Sequence, residues 1–96
     1  MPTVRRLVLD VLKPHDPPLL AFTEALGAVE SVDATNVSLV ELDNEVQNVT
    51  AAVEGEDLDF DAVDEAIREL GGTVHSVDQA ACGAYVVEER PTPQDR

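Results

Sequence analysis

The sequence predicts an α+β fold built from two similar strand–helix–strand halves: a four-stranded antiparallel sheet with both helices on one face. Three observations carry that prediction. Extended segments alternate apolar and polar residues with period two, two segments carry apolar stripes at helical spacing, and the two halves repeat one another. The stripe Leu19, Phe22, Leu26, Val29 recurs 41 residues later as Phe60, Val63, Ile67, Leu70, and the strand face Leu7, Leu9, Val11 recurs 42 residues later as Val49, Ala51, Val53. Two such units in tandem read β-α-β-β-α-β, the ferredoxin-like arrangement.

Each element follows from local chemistry. From Val4 to Leu12 the chain is rich in strand formers, with Leu7, Leu9 and Val11 on one face and Arg6, Val8 and Asp10 on the other. Three prolines between Lys13 and Pro18 stop this strand, and Asp16 is expected to cap a helix with Pro17 in its first position. Val32 to Asp43 is extended, Asp43-Asn44-Glu45 is a turn, and Val46 to Glu54 is the third strand. Gly55-Glu56-Asp57 breaks the chain before a second helix capped by Asp59, with Leu58 and Val63 placed to form a hydrophobic staple. Gly71-Gly72 ends that helix, because left-handed C-terminal positions favour glycine. Thr73 to Val77 is the fourth strand, and Ala84–Glu88 either extends it beyond Gly83 or forms a short fifth strand. One domain is expected over residues 1–89, with a loose tail over residues 90–96. The right-handed crossover rule is taken to set strands one and three side by side and parallel at the centre of the sheet.

Charge speaks to environment. Twenty acidic residues face six basic ones, Lys13 is the sole lysine, and the formal net charge is -14. Self-repulsion of that size strains a compact state in dilute buffer, but in molar salt the screening length falls to roughly 3 Å. The composition therefore predicts a halophilic protein. No basic patch exists to neutralise phosphates, which argues against nucleic acid and anionic membrane as partners. No run of 18 apolar residues is present. Met1–Arg6 leads directly into a strand without a cleavable signal, and Cys82 is the sole cysteine, so the cytoplasm is the expected compartment.

The wording of the chain is also specific. The opening Arg5-Arg6-Leu7-Val8-Leu9-Asp10 through His15, the segment Glu54-Gly55-Glu56-Asp57-Leu58-Asp59-Phe60, and Gly71-Gly72-Thr73-Val74-His75-Ser76 resemble the archaeal domain-of-unknown-function 211 family. The resemblance runs from about Arg5 to Glu89. It implies a ferredoxin-like fold and a tendency toward multi-subunit assembly. It implies no activity, and no catalytic residue can be carried over.

Few residues point to chemistry. Asp57, Asp59 and Asp61 begin like a calcium loop, but Ala62 stands where glycine is required and Arg68 where glutamate is required, so helix capping explains the acids more simply. His15 lies in a proline loop, and Cys82 sits among Ala and Gly, where a packed thiol is expected rather than a nucleophile. No nucleophile elbow or glycine-rich phosphate loop is present, and no enzyme is expected. One constellation follows from the expected topology. Asp10 and Glu54 would end parallel neighbouring strands on the helix-free face, with Asp33 and His75 reaching the same edge. These four residues are the candidate ligands of a divalent cation, calcium or magnesium, completed by a second copy or water. Asp10 interrupts an apolar run on an inner strand and needs a partner. The helix-free face also carries Val8, Leu12, Val40 and Leu42, which predicts a homo-oligomer. The functional expectation is a self-assembling cytoplasmic module that binds a cation or small ligand at subunit junctions. The alternative is a structural or accessory subunit of a larger complex.

Overall fold

A long first strand, β1 (Val4–Pro14), runs through the middle of the sheet in the computed structural model, which describes residues 2–88. It is followed by α1 (Leu19–Gly27), β2 (Ala34–Leu42), β3 (Val46–Glu54), α2 (Phe60–Glu69) and β4 (Thr73–Cys82). The sheet order is β2-β3-β1-β4, and every pairing is antiparallel. This is the ferredoxin-like βαββαβ arrangement. The tail at 90–96 and the end of the expected domain at Glu89 lie outside the described residues.

The expected parallel pairing of strands one and three is corrected. The crossover through α1 makes β1 and β2 run the same way with a gap between them. The tight turn after β2 then sends β3 back into that gap, antiparallel to both neighbours. Arg6 consequently stands opposite Glu54, Asp10 opposite Thr50, and Pro14 opposite Val46.

The core is what the alternation dictates. Leu7, Leu9 and Val11 of β1 and Val49, Ala51 and Val53 of β3 are buried beneath Phe22 and Leu26 of α1 and Val63 and Ile67 of α2. Val32 and Leu58 seal the ends of this cluster. The ends of the helical stripes fray outward: Leu19, Val29 and Leu70 are half-buried, and Phe60 is 36% exposed.

Local endings differ in instructive ways. Asp59 caps α2 as its chemistry demands, its Oδ1 accepting the Ala62 N–H at 3.2 Å, and Gly71 takes the left-handed conformation (φ 86°) after it. At α1 the cap is Pro18 rather than Asp16, and no side chain caps the helix; the Asp16–Pro17 peptide is cis. Strand β4 reaches Cys82 through two bulges, at His75 and Asp78, and no fifth strand follows among the described residues. Cys82 is exposed at its end rather than packed. Strand β2 is bulged at Val40, so Glu41 rather than Val40 or Leu42 stands opposite Asn48.

The β3–α2 connection is latched to the first strand. The Gly55 N–H donates to the Arg5 carbonyl (3.1 Å) and the Leu58 N–H to the Val4 carbonyl (2.8 Å). A Cβ on Gly55 would overlap the Ser31 carbonyl oxygen, whereas one on Gly27 would meet only Thr35 at 3.6 Å. Gly55→Ala is therefore expected to lower unfolding free energy by about 1–3 kcal/mol and Gly27→Ala to leave it level or raised, as read by urea denaturation. Equal effects would contradict the crowding at Gly55.

Lys13 belongs to this core. The strand continues two residues past Leu12, so Lys13 falls on the buried face in register with Gln47 and is fully buried. Its Nζ donates to the Pro14 carbonyl (2.7 Å) and Gln47 Oε1 (2.8 Å) and lies 5.7 Å from the Phe22 ring centre. Burial holds this ammonium below its ordinary pKa of 10.5, and attraction to Asp16 only partly offsets the shift. Between the lowered folded value and 10.5 the unfolded chain binds more protons, so stability from this group rises with pH across that window. The melting temperature of the wild type relative to Lys13→Met should accordingly climb as pH approaches 10.5. Parallel curves would show that Lys13 titrates normally.

Candidate functional site on the helix-free sheet face

The face of the sheet turned away from the helices is set by the even positions of β1. Arg6, Val8, Asp10 and Leu12 stand opposite Glu54, Ala52, Thr50 and Asn48 of β3, and Asn36 and Ser38 of β2 continue the rows. Small side chains at Val8, Ala34 and Ala52 lie among longer neighbours and leave a depression of about 540 Å³. Arg6 and Glu54 line it with Asn36, Ser38 and Thr50. A second depression of about 180 Å³, lined by Gln79 and Val86–Glu88, lies on the other flank of Arg6.

Arg6 is the basic residue of this face among the described residues. Its Nη1 donates to Glu54 Oε2 at 2.7 Å, with the two side chains 33% and 46% exposed. Its Nε is buried and has no hydrogen-bond partner among the described residues. Buried donors are nearly always paired, so an unpaired one beside a depression marks a place where an acceptor would be favourable.

The four candidate cation ligands do not gather in one place. Asp10 and Glu54 share the open face, but antiparallel register separates their ladder positions by four residues along β1, about 13 Å at ~3.3 Å per residue. Glu54 pairs with Arg6, and its carbonyl accepts the Asp33 N–H at 2.7 Å, so Asp33 lies beside Glu54. Asp10 instead stands opposite Ser76, adjacent to the His75 bulge. Its partner is Asn48, whose Nδ2 donates to Asp10 Oδ1 at 2.5 Å, which answers the need created by a carboxylate on an inner strand. Among the described residues no three His, Cys, Asp or Glu side chains gather closely enough to hold a metal ion. The acids at Asp57–Asp61 serve the start of α2, through the Asp59 cap.

The hairpin end of the sheet is organised separately. Asp43 Oδ1 accepts the Glu45 and Val46 N–H groups at 2.9 Å each, and these bonds, with His15 nearby, hold its carboxyl below the ordinary range. His15 Nε2 is hydrogen-bonded to the Asp43 carbonyl at 2.8 Å, tying the proline loop to the turn.

Sequence reasoning missed the Arg6–Glu54 pair, although both residues were in view. With antiparallel strands the pair follows directly from register. With the acids apart, calorimetric titration of calcium into chelator-stripped protein in molar KCl should give the same heat for wild type and for Asp10→Asn/Glu54→Gln. A site-specific heat lost in the double variant would show that a second copy brings the two ends together.

Comparison with known proteins places this architecture. Residues 5–96 match the model of the DUF211 family, described as "Uncharacterized ArCR". The chain is also 44% identical over 93 residues to the uncharacterized protein MJ0319 of Methanocaldococcus jannaschii, covering 97% of this chain and 96% of that protein. No helix among the described residues is long and apolar enough to cross a membrane. With the match running across nearly its whole length, the chain belongs to the DUF211 family.

Proposed function

We propose that this protein is a self-associating binding module whose working surface is the helix-free sheet face around Arg6. The observation that carries the reading is a depression of about 540 Å³ lined by the Arg6–Glu54 pair, with Arg6 Nε buried and without a hydrogen-bond partner among the described residues. A face serving only as a solvated surface gains nothing from burying an unpaired donor, which costs about 1–3 kcal/mol.

Self-association rests on a second feature. Leu12, Val40 and Val46 are 36–59% exposed and gather on the helix-free face toward the hairpin end of the sheet, whereas the bulge turns Leu42, opposite Gln47, to the other side. Strand β2 is an open edge with one charged residue, Glu41, among nine. In a chain of net charge -14, a second copy can approach closely only where charge is sparse. The acid excess further supports a protein adapted to molar salt, and with a lone cysteine it fits the cytoplasm.

Light scattering in molar KCl should therefore return a multiple of 10.3 kDa, and Val40→Glu should return the subunit mass with its circular dichroism intact. A wild-type monomer at micromolar concentration would remove self-association from the reading. Lowering the salt should weaken folding, because repulsion is then unscreened. A far-UV spectrum and melting temperature unchanged from low to molar salt would remove the halophilic part.

A further inference from the structure

Resting on the reading of this protein as self-associating, we infer that a second copy docks along the free edge of β2, strand against strand and antiparallel, about a two-fold axis at Val37, so that two four-stranded sheets become one. Backbone register carries the inference. The Gly55 N–H donates to the Arg5 carbonyl, so by alternation Val53, Ala51 and Val49 bond to β1, and Glu54, Ala52 and Thr50 turn their backbone groups to β2. The Glu54 carbonyl does face that way, accepting the Asp33 N–H. Ala34, Asn36 and Ser38 stand opposite those three residues and commit their N–H and C=O groups to β3. Thr35, Val37 and Leu39 therefore point theirs outward, and among the described residues no strand lies beyond β2 to receive them.

A second β2 fits this edge position by position. With Val37 opposite its own copy, Thr35 falls opposite Leu39, and every outward N–H meets an outward C=O. On the helix side, Leu39, 47% exposed in the single subunit, is covered by Thr35 of the second copy. On the open side, Asn36 meets Ser38, and Val40 comes beside Ala34. The edge is also undefended: Ala34–Val40 holds no charge and no proline, the devices that keep natural edges apart. In a chain of net charge -14, such a run lets like copies approach and gives a cationic partner no acid to recognise. The opposite edge is blunted instead, because β4 bulges at His75 and at Asp78. Ala34, Asn36 and Ser38 also line the large depression, so Ser38 and Val40 of the second copy would complete its outer wall. At each end Asp33 faces Glu41 of the other copy, which makes the pairing depend on screening by salt.

The test reads amide hydrogen exchange of the full-length protein labelled with 15N in molar KCl, alongside light scattering. In the assembly the amides of Thr35, Val37 and Leu39 should exchange at least about tenfold more slowly than in the Val40→Glu subunit, whereas those of Ala34, Asn36 and Ser38 are held by β3 in both. The mass should be an even multiple of 10.3 kDa. Leu39→Pro removes an outward N–H and leaves the β3 ladder intact, so it should raise the dissociation constant at least about tenfold. Should that variant lose its dispersed spectrum, the exchange pattern of the wild type decides alone. Edge amides that exchange as fast in the assembly as in the subunit, an odd multiple of the subunit mass, a Val40→Glu protein that stays assembled, or a folded Leu39→Pro that associates unchanged would each overturn the edge pairing while leaving self-association through another surface. A wild-type monomer at micromolar concentration would overturn both.

Discussion

The pairing of β1 with a strand on each side is the constraint from which the rest of the structure follows. A strand hydrogen-bonded along both edges cannot slip by one residue without exchanging its faces, because side chains alternate with period two. Its odd positions, Leu7, Leu9, Val11 and finally Lys13, are thereby committed to the side covered by α1 and α2. Its even positions, Arg6, Val8, Asp10 and Leu12, are committed to the open side, and their partners on β3 are chosen by the same register. The core and the candidate site are thus two readings of one strand.

The charge of the chain divides along the same line. The single lysine is withdrawn into the core, where a carbonyl, an amide oxygen and the Phe22 ring take the place of solvent. Arg5 is occupied by the Gly83 carbonyl at 2.7 Å, and Arg68 lies 3.3 Å from Asp64 on the surface of α2. Arg6 alone among the described cations is placed on the open face. In an acid-rich surface, one fixed guanidinium next to one carboxylate creates a local dipole that the surrounding residues do not supply.

Much of this was legible in the residues, and the misreadings have identifiable causes. The helical stripes, the faces of β1 and β3, the Asp59 cap and the Gly71 stop all depend on local periodicity or local backbone chemistry, which a sequence displays directly. Strand direction does not: the order β-α-β-β-α-β was evident, but treating β1 and β3 as parallel brought Asp10 to Glu54 and hid the Arg6–Glu54 pair. Bulges are equally invisible to alternation. The extra residue at Val40 reverses the facing of everything after it in β2, and those at His75 and Asp78 let β4 run on to Cys82, past the point where its pattern fades. Asp16 had the chemistry of a cap, yet the chain passes through Pro17 and Pro18 before the helix begins.

The central claim is that β1 serves stability from one face and binding from the other, and alanine substitution along that strand tests it most directly. Unfolding free energy, measured by urea denaturation alongside assembly and binding, should fall by about 2–5 kcal/mol for Leu7→Ala and Leu9→Ala. Val8→Ala and Asp10→Ala should cost well under that while changing assembly or binding. Substitutions at Val8 and Asp10 that destabilised the isolated subunit as much as those at Leu7 and Leu9, and left association and binding untouched, would contradict the account.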